Sequence, residues 1–361
     1  MENNKILSLE SLRGIAAISI AFFHLNTGGY ISFFFENAWL ALDFFFVLSG
    51  FVISLNYSDK ISSIKNLYIY QKKRFFRLYP LHLVMLIIFL GIEFLKLFVE
   101  IKFDLIANNK AFSTNDLKAF LANLFLVHNL FLSQPTFNYP SWSISSEFFT
   151  YLFFGFLVLF TKKSKTIFNL ISVSIILVFG YTLYFTGFES DNITGPIRCI
   201  FSFLVGSLTH KLFVILRKKN INFQSTPSII MLLITVLTIG FFGNKNFGFI
   251  VYIPFIFAAT ILILVLTNEK TAIVKFLNNK FLVYLGSISY GIYLIHAIVW
   301  WISNMFLRFI FRFPIETNLN GKTTIIIENI FLADLISLIG IFIVIMLAHI
   351  SFTFFERKFL K

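Results

Sequence analysis

Arg13 and His24 lie in the first long apolar stretch of the chain, where ionisable side chains are out of place. At about 100° per residue their spacing returns both to one face of a helix, roughly 16 Å apart along its axis. A neutral imidazole can take a proton from a hydroxyl, and a guanidinium can fix an anionic group. The bland alternative is an arginine that snorkels to head groups and a histidine bonded to a neighbouring helix. Spacing alone leaves both open.

Three further stretches carry chemistry. Arg74 and Arg77 follow Lys72 and Lys73 and precede Tyr79 and Pro80; at i and i+3 they share a helix face and could grip a phosphate, although anionic lipid head groups attract the same cluster. In Trp142-Ser143-Ile144-Ser145-Ser146-Glu147 a carboxylate enters a run of Phe, Tyr and Leu. Ser143 and Glu147 share a face, a pattern that caps a helix or accepts hydrogen bonds from sugar hydroxyls. Ser289, Tyr293 and His296, with Tyr290 beside them, form a polar stripe on an apolar helix, and Gly286 and Gly291 permit close helix contact there. Asp43, Arg308, Asp334 and His349 are further polar residues within apolar runs.

The elements that position these residues are set by composition. With 58% hydrophobic residues, 13% charged and a mean hydropathy of +0.84, the chain has too little polar surface to clothe a water-soluble globule. Its 52 phenylalanines lie in long apolar runs rather than in the alternation of a barrel strand, so the expected fold is all-α and membrane-spanning. The single cysteine, Cys199, excludes an internal disulfide framework and a cysteine-rich metal site, and no metal is expected. The formal charge of +13 is assigned to topology and not to nucleic-acid binding, because the basic residues fall between apolar runs.

Ten runs are long enough to cross a bilayer: residues 12–33, 39–55, 78–97, 148–160, 166–184, 197–216, 228–242, 247–266, 282–309 and 330–354. The run 148–160 is short unless 142–147 continues its helix. With ten spans, Lys60, Lys65, Lys72, Lys73, Arg74, Arg77, Lys162, Lys163, Lys165, Arg217, Lys218, Lys219, Lys270, Lys275, Lys280, Arg357, Lys358 and Lys361 all fall on one side. That bias puts both termini in the cytoplasm. Glu189 with Asp191, the turn at 244–246 and the mixed segment 312–329 fall outside. The run 117–132 would reverse every later loop if it crossed, so it is expected as a re-entrant or interfacial helix begun by the cap-like 113–116. Residues 1–361 are expected to form one transmembrane domain with no appended soluble domain, no internal repeat and no cleaved signal peptide.

These stretches together resemble the acyltransferase-3 family of membrane acyltransferases, which modify bacterial surface carbohydrates. The resemblance rests on Leu12-Arg13-Gly14-Ile15-Ala16-Ala17 followed by His24, and on Asp43-Phe44-Phe45-Phe46-Val47-Leu48-Ser49-Gly50-Phe51. It continues through Arg74-Phe75-Phe76-Arg77-Leu78-Tyr79-Pro80, the Trp142 to Glu147 stretch, Ser289-Tyr290-Gly291-Ile292-Tyr293-Leu294-Ile295-His296 and Phe355-Glu356-Arg357. Ile144 and Ser146 depart slightly from the family pattern.

The resemblance implies transfer of an acyl group, usually acetyl from cytoplasmic acetyl-CoA, to a hydroxyl of a glycan or glycolipid, by a multi-pass protein of the bacterial inner membrane. It marks His24 and Arg13 as essential and links Arg74 and Arg77 to the CoA end. The expected mechanism has Arg74, Arg77 and Arg13 holding acyl-CoA, His24 acting as general base, and Glu147 or Asp43 orienting the acceptor or the imidazole. Trp142, Ser143, Tyr290, Tyr293 and His296 are acceptor-side or supporting residues. No cofactor is expected beyond acyl-CoA as substrate, and the partners are membrane lipid, the glycan acceptor and a separate extracytoplasmic protein if the chain does not act alone. A lipid-linked glycan or small-molecule flippase would also need buried Arg, His and Glu, but would show two similar halves with interrupted helices.

Overall fold

The structure is a computed structural model that describes residues 6–25, 27–106, 109–188, 192–220, 225–239, 248–268, 271–317 and 323–359. It is helical apart from one small antiparallel ribbon, β1 (Ile315–Thr317) with β2 (Thr323–Ile325), in which Glu316 pairs with Thr324. Among the described residues eight helices are long and apolar enough to cross a membrane. Their hydrophobic exterior and self-contained backbone hydrogen bonding suit a lipid solvent.

The chain divides into two compact units, Met1–Ser58 with Phe201–Phe352, and Asp59–Ile200 with Thr353–Lys361.

In the first unit, α1 (Leu7–His24) is followed by the short α2 (Tyr30–Phe35) and by α3 (Leu40–Tyr57). The run expected to span at 12–33 therefore ends at His24. The chain turns at Gly28, whose φ of +79° suits glycine, and Thr27 Oγ1 is bonded to the hydroxyls of Ser32 and Ser337 at 2.9 Å each. The unit also holds the later turns of α9 (Thr194–Lys218), α10 (Ser225–Leu237), α11 (Gly248–Asn268), α12 (Ala272–Leu277), α13 (Lys280–Ser287), α14 (Ser289–Met305) and most of α15 (Ile330–Phe354).

Close approach organises this unit. A Cβ at Gly286 would lie 1.9 Å from the Glu10 carbonyl oxygen, and one at Gly14 would lie 2.7 Å from the Gly286 nitrogen, so α1 and α13 touch backbone to backbone. Gly50 of α3 meets the Phe203 carbonyl in the same way, and Ser54 donates to Ser207 at 2.8 Å. The expected single span 282–309 is two helices broken at Ile288, followed by a π turn over Phe306–Ile310. The break follows Gly286 and Ser287, weak helix formers at the point where α1 presses on the backbone.

The second unit is built on α4 (Ile64–Phe103), a single helix of 40 residues that begins at the Ser63 cap, where Asn66 N donates to Ser63 Oγ. The stretch 64–77 is thus helical, in keeping with the shared helix face read for Arg74 and Arg77, and the helix runs on through Pro80. Against α4 lies α7 (Trp142–Thr161), entered through a 3₁₀ turn at Tyr139–Ser141. Residues 142–147 do continue the helix of the 148–160 run. Gln71 Nε2 donates to the Phe148 carbonyl at 3.3 Å, and Gly155 leaves room for Leu67 and Tyr70.

The run 117–132 forms α5 (Leu117–Leu124) and α6 (His128–Phe131), with Leu126 between them at φ +59°. Asp116 caps α5 by accepting from Ala119 N at 2.7 Å, as the 113–116 pattern predicts. Neither helix approaches the length of about 20 residues that a crossing needs. Next, α8 (Lys165–Thr186) begins at the Ser164 cap. The expected turn at 244–246, Glu189 with Asp191, Lys270, Lys361, the end of the 228–242 run, Phe247 at the start of the 247–266 run and part of 312–329 lie outside the described residues.

Candidate functional site

Within the first unit the histidine that ends α1 meets the histidine of α14. The rings of His24 and His296 stack with centroids 5.3 Å apart and planes 12° apart. Trp300 Nε1 donates to the Ala21 carbonyl at 2.8 Å, which ties α14 to α1 three residues before His24. One turn back along α14, Tyr293 lies edge-on to His296 at 5.9 Å and beside Phe45 of α3 at 6.5 Å. Of the polar stripe on α14, His296 thus meets α1, where His24 sits half-buried against it while His296 is fully buried. A half-buried imidazole held in one plane by a neighbouring ring is suited to proton transfer with a bound hydroxyl.

Arg13, two turns into α1, pairs with Glu10 through Nη1 at 3.4 Å. The anion that Arg13 was expected to hold thus has a resident competitor, one that sequence reasoning did not name. Asp43 is completely buried in α3 and accepts from the hydroxyl of Tyr252 at 3.2 Å; that hydroxyl is itself 2.8 Å from Ser202 Oγ. A buried carboxylate needs such partners, and Tyr252 and Ser202 gave no signal in the sequence because each is an ordinary residue in an apolar run. Tyr290 is half-buried at the start of α14.

Within the second unit, Glu147 and Arg74 meet at Tyr151. The Tyr151 hydroxyl donates to Glu147 Oε1 one turn away, and the Arg74 guanidinium lies over the Tyr151 ring, 5.9 Å from its centroid. Charge patterning put Arg74 on the inner side of the membrane; here it lies over the ring whose hydroxyl binds Glu147. Arg77, a turn further along α4, is half-buried. Ser143 is buried and donates to the Pro140 carbonyl at 3.2 Å, so it serves the entry to α7.

Trp142 lies under the guanidinium of Arg198, 5.7 Å from the ring centroid. Arg198 is 3% exposed and donates to the Phe188 carbonyl at 2.6 Å. It too escaped sequence reasoning, although an arginine inside the 197–216 run was a signal of the kind that singled out Arg13. A second histidine pair, His82 and His128, stacks at 5.6 Å, with each Nε2 close to a backbone carbonyl, Asn123 and Ser141 respectively. Among the described residues no three His, Cys, Asp or Glu side chains converge as a metal site would require.

Each unit thus joins parts of the chain that are remote in sequence: α1 with α14, and α4 with α7. A family model described as an acyltransferase domain matches residues 6–355, and so takes in both. No curated protein and no solved structure matches the chain.

Proposed function

The chain belongs to the acyltransferase-3 family of membrane acyltransferases, and we propose that it moves an acetyl group from cytoplasmic acetyl-CoA to a hydroxyl of a cell-surface polysaccharide or glycolipid. The observation that carries this reading is the family match over nearly the whole chain. The stacked His24 and His296 add a group suited to the chemistry.

In this reading His24 is the general base. It takes the proton of the acceptor hydroxyl as the oxygen attacks the thioester carbonyl; the C–O bond forms, the C–S bond breaks, and the CoA thiolate leaves with the proton that the imidazole held. His296 and Tyr293 keep the His24 ring in its plane. Arg74 and Arg77 bind the phosphates of CoA, where a forked donor matches phosphate better than a point charge would. Glu147 orients the acceptor. Asp43, held by Tyr252, supports the first unit from within α3, while Arg13 steadies the donor in competition with Glu10.

We place the protein in a bacterial inner membrane with ten spans and both termini cytoplasmic. The support is the one-sided distribution of Lys and Arg. The two spans beyond the eight long helices would be 78–97, in the middle of α4, and 228–242, which begins in α10. Membranes carrying the protein should move radiolabel from [¹⁴C]acetyl-CoA into endogenous glycan. Mass spectrometry of surface glycans with and without the protein should differ by acetyl groups. Glycans that are identical in the two, together with no incorporation of label, would refute the reading.

A further inference from the structure

We propose that Tyr151 is a positioning residue that couples donor binding to acceptor orientation, its ring holding Arg74 and its hydroxyl holding Glu147. This rests on the roles given above to those two residues and adds one that neither motif contains. Three observations carry it. Tyr151 is 3% exposed, so its ring cannot swing freely. Its hydroxyl donates to Glu147 Oε1 within α7, and the Arg74 guanidinium of α4 lies 5.9 Å from its centroid. The ring is wedged edge-on against Tyr70 of α4 at 6.5 Å, and Gly155, one turn further along α7, makes the space for Tyr70.

The two contacts ask for different parts of the side chain. A cation over an aromatic face needs the ring alone. A carboxylate needs the hydroxyl proton, and a hydrogen bond to a charged acceptor is among the stronger ones. Phenylalanine at this position keeps the first contact and loses the second, whereas leucine loses both. Tyr151 is in this respect unlike the neighbouring Phe148 and Phe149, which fill space and carry no hydroxyl.

The test uses purified full-length protein in detergent, with acetyl-CoA as the donor probe and labelled transfer to membrane glycan as the rate. Tyr151→Phe should bind acetyl-CoA within about twofold of wild type and transfer acetyl about 10- to 100-fold more slowly. Tyr151→Leu should also weaken acetyl-CoA binding, by about 3- to 30-fold. In a Glu147→Leu background, where no carboxylate remains to be held, Tyr151→Phe should cost less than about twofold more. A purely structural role would not produce that loss of additivity.

Wild-type transfer by Tyr151→Phe, or a full further loss in the Glu147→Leu background, would overturn the coupling while leaving the acyltransferase reading intact. A Tyr151→Phe variant that did not fold would equally show the hydroxyl to be structural. Wild-type protein that binds no acetyl-CoA would overturn the acyltransferase reading itself.

Discussion

Replacing Gly286 by Ala tests whether the crossing of α1 and α13 sets the position of His24. The added Cβ would stand 1.9 Å from the Glu10 carbonyl oxygen and 2.4 Å from its carbon. An ordinary C···O contact needs about 3.3 Å, so the two helices must part by about 1.4 Å. Both obstructing atoms are backbone, which cannot swing aside, and overpacking of this kind costs about 1 to 3 kcal/mol. The same helix carries Glu10, Arg13 and His24, and its far end is held to α14 by Trp300 and by the stack with His296. Parting the helices at one end must therefore tilt α1 against that stack. A misplacement of about 1 Å at a reacting group can cost about 10²-fold in rate. Gly286→Ala should thus lower transfer by about 10- to 100-fold and lower the midpoint of thermal unfolding in detergent, while binding of acetyl-CoA survives. Gly91→Ala is the control: a Cβ there meets nothing within 4 Å, so both readouts should stay at wild-type values. Wild-type transfer and unfolding by Gly286→Ala would refute the backbone contact. A lower midpoint with an unchanged rate would detach the crossing from the placement of His24.

Removal of the proposed base should be more severe: His24→Gln, which keeps a hydrogen bond but cannot accept a proton at neutral pH, should lose about 10²- to 10⁴-fold in transfer with acetyl-CoA binding retained. Substantial turnover would move the base to His296, Asp43 or Glu147. Arg74→Ala and Arg77→Ala should each weaken acetyl-CoA binding by about 1.5 to 3 kcal/mol in calorimetry, and the Lys variants should recover only part of it. Wild-type affinity in both Ala variants would reassign the pair to lipid head groups. In a Cys199→Ser background, Lys60→Cys should react with an impermeant thiol reagent only from the cytoplasmic side and Gln134→Cys only from the outer side. Labelling of both from one side would refute the ten-span topology.

Long apolar runs were the most legible part of the fold. Eight of the ten runs read from the sequence fall for most of their length within one of the eight long apolar helices, because a helix in lipid must be apolar over its whole length. The runs that misled were those with a break inside apolar sequence. Residues 12–33 are divided after His24 by a glycine-bearing turn, and 282–309 are divided at Ile288. Hydropathy averages across such breaks, whereas Gly28 at positive φ and Gly286 under the Glu10 carbonyl do not. At the candidate site, spacing found His24 and His296 separately, because each is a polar residue on an apolar helix. It could not pair them, since the stack depends on α1 crossing α13 and α14. The supporting residues, Trp300 and Tyr252 in the first unit and Tyr151 in the second, are aromatic residues among 52 phenylalanines and many tyrosines, and only their polar atoms, aimed at Ala21, Asp43 and Glu147 respectively, distinguish them.

Arg74 and Glu147 show why charge is a poor guide to depth along a helix. The basic run at 72–77 reads as an inner loop because such loops collect Lys and Arg. In α4, however, the helix has already run from the Ser63 cap by that point, and about ten residues of helix rise roughly 15 Å. Lys72 and Lys73 are exposed on one side of it, while Arg74 is turned onto Tyr151. Position on the helix face, not position in the charge run, thus separates the arginine that meets Glu147's partner from the lysines beside it. The same reasoning bears on Arg77, which follows Arg74 by three residues and so shares its face. If the pair binds one phosphate group, the two arginines must act at the level of Tyr151 and not at the start of α4. Substitutions at Lys72 and Lys73 should then leave acetyl-CoA affinity unchanged while those at Arg74 and Arg77 lower it. Equal losses at all four positions would mean that the cluster attracts anions as a diffuse charge, with no site built on the helix face.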